Sequence, residues 1–385
     1  MDSSSLDPAI AEVAELARQQ ADRTERQRRP SPELVEVLIG SGLLRLALPA
    51  AYGGRELDPI RLVDVVEELA CADASIGWLV ATNILGSLAM GWVGEAMARD
   101  IYGDPRVATA GVYAPFGTAE VLDGRYRLSG RWAYASGCDI ADWFLCGAVL
   151  FERGTMREKR PGRPEIRMLA FPKSAVTIHD TWDVLGMCGT GSHDISVSDV
   201  DIPLERSLSL HDDPPRIDAP LYRMPYFGVC AALLGSVAVG VARAASAEAK
   251  RVADGKVPLG ARKPIGQRRW VGERLADAEL ATRTAHDELR KHLAACWTAA
   301  TTGRSPDFEM RARLRIATCQ AVTDAARAIE TVHGVVGGTS VYRTSPLQRH
   351  LRDVMTLRQH VMLSPVVRET AEKLIAGATV DTSML

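Results

Sequence analysis

Residues 130–143 read Gly130-Arg-Trp-Ala-Tyr-Ala-Ser-Gly137-Cys-Asp-Ile-Ala-Asp-Trp143, and this stretch decides the fold. Two turn signals stand ahead of it, Asp123-Gly124 and Ser129-Gly130. Asp-Gly between alternating runs marks a hairpin. The pattern predicts a strand over 126–132 that ends as the chain reaches Tyr134, Ser136 and Gly137. Small residues there let a flat ligand approach the backbone. An aromatic ring can lie against it, and a hydroxyl can bond a ring nitrogen. Taken alone, the pattern equally fits an ordinary hairpin with a packed tryptophan.

Around this stretch, from about 107 to 203, the hydrophobic period is two. Strands are expected at 107–112, 118–122, 126–132, 143–150, 166–172, 176–181 and 193–202, with a charged loop at 153–164. Seven short strands at this spacing imply a small antiparallel barrel or sandwich. Gly186-Met-Cys-Gly189-Thr-Gly191-Ser resembles a phosphate loop, but a dinucleotide site needs a helix next. His193-Asp-Ile-Ser-Val-Ser alternates like a strand instead, so a tight loop between strands is expected, open to cofactor contact.

Upstream, residues 1 to about 106 read as helices. Ser31-Pro32 starts one as N-cap and first helical residue, and Asp58-Pro59 starts another. A helix from Ala74 to about Met90 is apolar nearly all round, so it is buried or lines a pocket. Asn83 in its middle is either satisfied structurally or a substrate contact. Downstream of a proline-rich linker at 212–225, helical period returns over about 226–254, 265–299, 307–333 and 346–376. Four such helices with short loops make a bundle. The fold class is thus α+β and mostly helical: an N-terminal helical domain (1–106), a central antiparallel β-barrel domain (107–212) and a C-terminal four-helix bundle (213–385). On the last helix, spacing places Leu357, His360, Val361 and Ser364 on one face. His360 is either a packed residue or a proton-transfer group, while Arg349, Arg352 and Asp353 read as an ion-paired network.

Composition narrows the function. The 385 residues carry a net charge of −2, which argues against a general polyanion binder. The start, Met1 to Leu6, lacks a basic region followed by an apolar core, so no secretory signal is expected. The longest apolar run, 229–241, is too short to span a bilayer. Seven scattered cysteines suggest reduced, cytoplasmic thiols, and no histidine cluster suggests a metal.

The motifs Ala74-Ser-Ile-Gly-Trp78, Gly130–Trp143, Gly189-Thr-Gly-Ser-His-Asp194 and Pro346-Leu-Gln-Arg-His-Leu-Arg-Asp353 leading to Gln359-His360 occur in that order within matching domains. With them the chain resembles the acyl-CoA dehydrogenase fold, and within it the flavin-dependent monooxygenases of two-component systems. The resemblance spans nearly the whole chain. It implies reduced FMN or FAD (FMNH2 or FADH2) from a separate flavin reductase, O2 as co-substrate reacting at the flavin C4a, hydroxylation of a phenol, indole or polyketide-type aromatic, and a homotetramer. It implies Ser136 at the flavin N5 edge, with Tyr134 and Ala135 along the ring face and Trp78 flanking it. Arg262 would reach the flavin phosphate of a neighbouring subunit, Gly337 and Gly338 would lie near the cofactor tail, and His360 would manage protons near C4a. The resemblance has two departures. No carboxylate follows Asp353 where the dehydrogenases carry their base, which disfavours α,β-dehydrogenation. Asn83 stands where several hydroxylases carry a histidine. The alternatives are an FAD-dependent acyl-CoA dehydrogenase-type oxidoreductase and an N-oxygenase of an amine or amino sugar.

Overall fold

The computed structural model describes residues 6–385. Most of the Met1–Leu6 reading therefore falls outside the described residues. Helix α1 (Leu6–Gln27) buries Leu6, Ile10, Val13, Ala17 and Ala21 at helical spacing. Helix α2 (Pro32–Gly40) begins as expected: the Ser31 hydroxyl accepts from the Leu34 N–H at 3.2 Å. Helix α3 (Pro59–Ala72) is capped by Asp58, and α4 (Ala74–Ala89) by Asp73, which accepts from Ile76 N–H. Gly77 lets α4 lie against α3, because a Cβ there would sit 2.6 Å from that of Ala70. Helix α5 (Glu95–Tyr102) closes this set.

The strands follow. β1 (Thr109–Leu122), β2 (Arg125–Trp132) and β3 (Trp143–Glu152) are the long ones. Short strands β4 (Thr155–Met156), β5 (Glu158–Arg160) and β6 (Arg163–Pro164) lie in the charged loop. Then come β7 (Ile166–Pro172), β8 (Thr177–His179), β9 (Asp194–Pro203) and β10 (Ser207–Leu208). The main sheet has the order β10-β7-β3-β1-β2-β9-β8.

Three expectations about this sheet are corrected. The runs 107–112 and 118–122 are one strand whose register against β3 shifts between Val112 and Gly117. Ser129-Gly130 is not a turn but the interior of β2, where the register against β9 shifts. Glycine is required there because the Trp132 ring crosses it, 2.7 Å from where a Cβ would stand. The sheet is also mixed and open, not an antiparallel barrel. β2 pairs antiparallel with β1 after the Asp123-Gly124 turn. The connection 133–142 then passes around the start of β1, so β3 runs parallel to β1 on its other side. The end strands β10 and β8 have only two and three residues and do not meet to close it.

After the short α6 (Pro220–Arg223) come α7 (Tyr226–Gly255), α8 (Arg269–Thr301), α9 (Phe308–Val336), α10 (Pro346–Leu357) and α11 (Pro365–Ile375). The expected last helix is therefore two helices. Pro365 disfavours helical backbone at Ser364, and the chain turns through 361–363 before restarting. The N-terminal helices and the bundle share one apolar core, while the sheet has its own. Gly240 on α7 makes this contact close, since a Cβ would stand 2.3 Å from the Glu67 carbonyl oxygen on α3. The run 229–241 is short, but the helix containing it is not. Ala74–Trp92 and Tyr226–Gly255 are both long and apolar enough to cross a membrane, and protein buries 83% and 89% of their most apolar windows.

Candidate active site

The connection 133–142 is stitched to the loop before β9. Ala135 N–H donates to the His193 carbonyl at 3.1 Å, and Gly137 N–H to the Thr190 carbonyl at 2.9 Å. Gly137 sits at φ +75° and Tyr134 at φ +66°. The latter is an uncommon conformation for a ring-bearing residue, and it leaves Tyr134 69% exposed. Within this frame the Ser136 Oγ lies 2.7 Å from Ser192 Oγ, and Ser192 Oγ lies 2.7 Å from Thr190 Oγ1. Thr190 Oγ1 donates to the Met187 carbonyl at 2.8 Å. From α4, Trp78 Nε1–H donates to Ser136 Oγ at 2.9 Å. All four of these side chains are buried.

His360 completes the cluster, its ring edge-on to Trp78 with centroids 5.3 Å apart. It is not on a helix face, as the i, i+3, i+4 spacing suggested. It caps the turn 361–363 with extended backbone, and its Nδ1 accepts from Met362 N–H at 3.3 Å. Leu357 is buried while Val361 is 60% exposed, so the predicted shared face does not exist. Buried Arg315 on α9 holds this turn by donating to the carbonyls of Met362 and Phe227 at 2.9 and 3.0 Å. Burial, with the Arg315 charge behind it, pushes the imidazole down to about 4. His360 is thus neutral near pH 7, and an accepting Nδ1 places its proton on Nε2.

The loop that presents Thr190 and Ser192 is anchored from α10. Asp353 accepts from Met187 N–H at 2.6 Å, and Arg352 donates to the Leu185 carbonyl at 2.6 Å. Gly186 fits only without a side chain, since a Cβ would stand 2.2 Å from the Arg352 carbonyl oxygen. Arg349 and Arg352 also pair with Asp22 and Glu25 of α1. Burial pushes the Asp353 carboxyl up to about 7, and the nearby Asp73 charge adds to the shift.

The other candidate residues are placed differently. Tyr134 points outward and meets Trp182 edge-on at 6.1 Å. Ala135 is fully buried in the sheet's own core, so its side chain lines no open face. The Asn83 amide clamps α4 to β1: Nδ2 donates to the Leu79 carbonyl at 2.9 Å, and Oδ1 accepts from Thr109 N–H at 2.8 Å. Those bonds correct the reading of Asn83 as a substrate contact toward the structural one. Arg262 is exposed in the loop before α8, and Gly337 and Gly338 are exposed at the end of α9. Lys256 joins these two regions by donating to the Val336 carbonyl at 2.6 Å. They sit before the N-terminus of α10, whereas His360 lies beyond its C-terminus. The twelve residues of α10 alone span about 18 Å. One chain therefore brings Trp78, Ser136 and His360 together but not Arg262, Gly337 or Gly338.

Sequence reasoning did not assign Ser192, Thr190, Trp182 or Arg315. The signal for the first two was the Gly189-Thr-Gly191-Ser stretch itself. Elsewhere, a cleft of about 480 Å³ opens between α1, α3, α7 and α8. Its buried Glu67 is already engaged by Arg243 at 2.7 Å and His286 at 2.8 Å.

The donor set at Ser136 is uncharged: hydroxyls, an indole N–H and a neutral imidazole, with exposed Tyr134 and half-buried Trp182 beside them. Such a set fits the polar edge and flat face of an isoalloxazine. Comparison with known proteins agrees. Residues 7–102 match the acyl-CoA dehydrogenase N-terminal domain, and residues 232–365 the acyl-CoA dehydrogenase C-terminal domain. The FADH(2)-dependent resorcinol hydroxylase, oxygenase component, of Rhizobium sp. (strain MTP-10005) is 31% identical, over 92% of this chain and 90% of its own length. The HsaA monooxygenase structure from M. tuberculosis superimposes with a TM-score of 0.90 at 27% identity, covering all of both chains. XiaF from Streptomyces sp., in complex with FADH2 and glycerol, gives 0.89 at 26% identity over 98% of this chain and 96% of its own. The chain therefore belongs to the acyl-CoA dehydrogenase family and, within it, to the flavin-dependent monooxygenases.

Proposed function

We propose that the chain is the oxygenase component of a two-component system that hydroxylates a small aromatic substrate of the phenol or indole class. A separate reductase supplies the reduced flavin by diffusion, and the working form is a homotetramer. The observation that carries this reading is the convergence of Trp78, Ser136 and His360 from α4, the β2–β3 connection and the turn at 361–363. When bound, reduced flavin supplies the electrons that place one oxygen atom of O2 on the substrate and release the other as water.

The chain's own residues do the rest. Ser136 would meet the N5 edge of the ring, and Trp78 holds Ser136 in place. The apolar helix α4 keeps water from the site, which protects reactive species from side reactions. His360 presents an Nε2–H that can donate to a developing oxyanion and is not itself charged at neutral pH. Position and electrostatics come from the protein, and the oxygen chemistry from the cofactor. Arg262, Gly337 and Gly338, remote from this cluster in one chain, suit the phosphate and tail of a flavin held mainly by a neighbouring subunit.

The test is to mix the protein with photoreduced FMN or FAD under argon, add O2 and a panel of phenols and indoles, and measure hydroxylated product and hydrogen peroxide. Product should form, peroxide release should fall below that of free flavin, and His360→Ala should lower the product fraction. Peroxide release equal to free flavin with no product from any substrate would overturn the reading.

A further inference from the structure

Arg315 on α9 is 1% exposed and carries its charge into the interior behind His360. Its guanidinium donates to three main-chain carbonyls: Met362 at 2.9 Å, Phe227 at 3.0 Å, and Met384. Among the described residues its Nε–H finds no acceptor, and no carboxylate pairs with it. The titratable groups that bear on it are Cys230 on α7 and Cys319 on α9. Burial pushes the Cys230 thiol up to about 12 and raises that of Cys319, so both are neutral near pH 7. Burial also lowers the Arg315 pKa, yet a guanidinium stays charged at that pH. Carbonyl oxygens satisfy its donors but bring no net negative charge. A buried cation in this state is costly until an anion approaches it.

Met362 links this charge to the site. Its carbonyl accepts from Arg315, and its N–H donates to His360 Nδ1 at 3.3 Å. With Nδ1 occupied, the imidazole offers Nε2–H and no free lone pair. It cannot take a proton from a substrate without giving up the Met362 bond. The elements around it supply no other charge: α4 brings the Trp78 indole, the charge acting on the imidazole is that of Arg315, and Ser136, Ser192 and Thr190 are uncharged hydroxyls.

We infer that Arg315 is a positioning residue that turns the His360 donor into an oxyanion site, so that a phenol is held there as its phenolate. The inference rests on the reading of this cluster as the oxygenase site, and it narrows the substrate to aromatics with an ionisable ring hydroxyl. On binding, the phenol O–H bond breaks, its electron pair stays on the oxygen, and the proton leaves to solvent, because no side chain here can receive it. The oxyanion meets His360 Nε2–H with the Arg315 charge behind it. Ionisation also enriches the ring in electrons, which favours transfer of an electrophilic oxygen atom to a ring carbon. A simple indole has no such hydroxyl and gains nothing from Arg315.

The test follows 4-fluorophenol and a series of larger fluorophenols by fluorine NMR, whose shift separates phenol from phenolate, with photoreduced FMN or FAD bound under argon. In the native protein the bound phenol should ionise about one pH unit below the free compound, the scale of one unit charge acting through protein. A proton should appear in weakly buffered solution as the phenol binds. Arg315→Met removes the charge, so the shift should vanish and the nitrogen NMR titration of His360 should move up towards its ordinary value. Arg315→Lys keeps the charge and should keep the shift. Native protein that binds the fluorophenols in neutral form, or binds none of them, overturns the inference, and this measurement decides even where Arg315→Met does not fold. An unchanged phenol ionisation in folded Arg315→Met overturns it as well. Hydroxylation of indoles alongside any of these results leaves the oxygenase reading standing, whereas peroxide release equal to free flavin with no product sinks that reading instead.

Discussion

Replacing Asp353 by asparagine should make the protein more stable above pH 7 while leaving it unchanged near pH 4. Asp353 is 6% exposed on α10, and burial raises its carboxyl from an ordinary value near 3.8 to about 7. The sign follows from proton binding. Between these two values the unfolded chain has lost the proton and the folded protein keeps it, so stability falls as pH rises across that window. A gap of about three pH units at about 1.4 kcal/mol each amounts to about 4 kcal/mol once the pH exceeds 7. Asparagine keeps the carbonyl oxygen that accepts from Met187 N–H but cannot ionise. Asp353→Asn should therefore flatten the curve and exceed the native protein by a few kcal/mol at pH 8. The assay is urea unfolding at half-unit steps from pH 4.5 to 8, followed by fluorescence. Parallel curves for the two proteins would refute the reasoning, because the carboxyl would then titrate alike folded and unfolded.

Three further outcomes are expected. His360, held down at about 4 by burial, should show a neutral, Nε2-protonated ring in nitrogen NMR from pH 5.5 to 8. Its lowered value costs stability as pH falls from about 6.5 towards 4, so His360→Gln should flatten that acid-side loss, and a charged ring at pH 6 would contradict the geometry. Gly186→Ala forces a methyl against the α10 backbone and should cost about 3 kcal/mol of unfolding free energy, with a matching loss of flavin affinity because the Met187–Ser192 loop must move. His286 is raised above its ordinary value chiefly by its bond to Glu67. That pairing stabilises fully below about pH 6.5 and is lost as pH rises through the raised value, and in Glu67→Gln the NMR titration of His286 should return towards the ordinary range.

Much of the fold is legible residue by residue. Ser31-Pro32 and Asp58-Pro59 start helices because the cap and the fixed proline φ are local properties. Asp123-Gly124 turns β1 into β2 because glycine takes φ +73° there. Other features could not be read this way. Ser129-Gly130 has turn composition, but its glycine serves a distant ring. His360 sits at helical spacing from Leu357, yet Pro365 five residues on interrupts the helix, because proline disfavours helical backbone at the residue before it. Asn83 could face a ligand or a backbone group, and only the arrival of β1 at Thr109 decided it.

Residues 130–143 show the division of labour. Their composition determined a strand, its end, and a hydroxyl beside small residues, because those depend on backbone sterics over a few positions. What surrounds Ser136 was decided by the tertiary structure alone. Trp78 lies 58 positions away and Ser192 56, and no local rule couples residues at that separation. Their meeting depends on how α4 packs on α3 and on where the connection 133–142 carries the chain. The partners of Ser136 therefore belong to the folded protein and not to the motif that contains it.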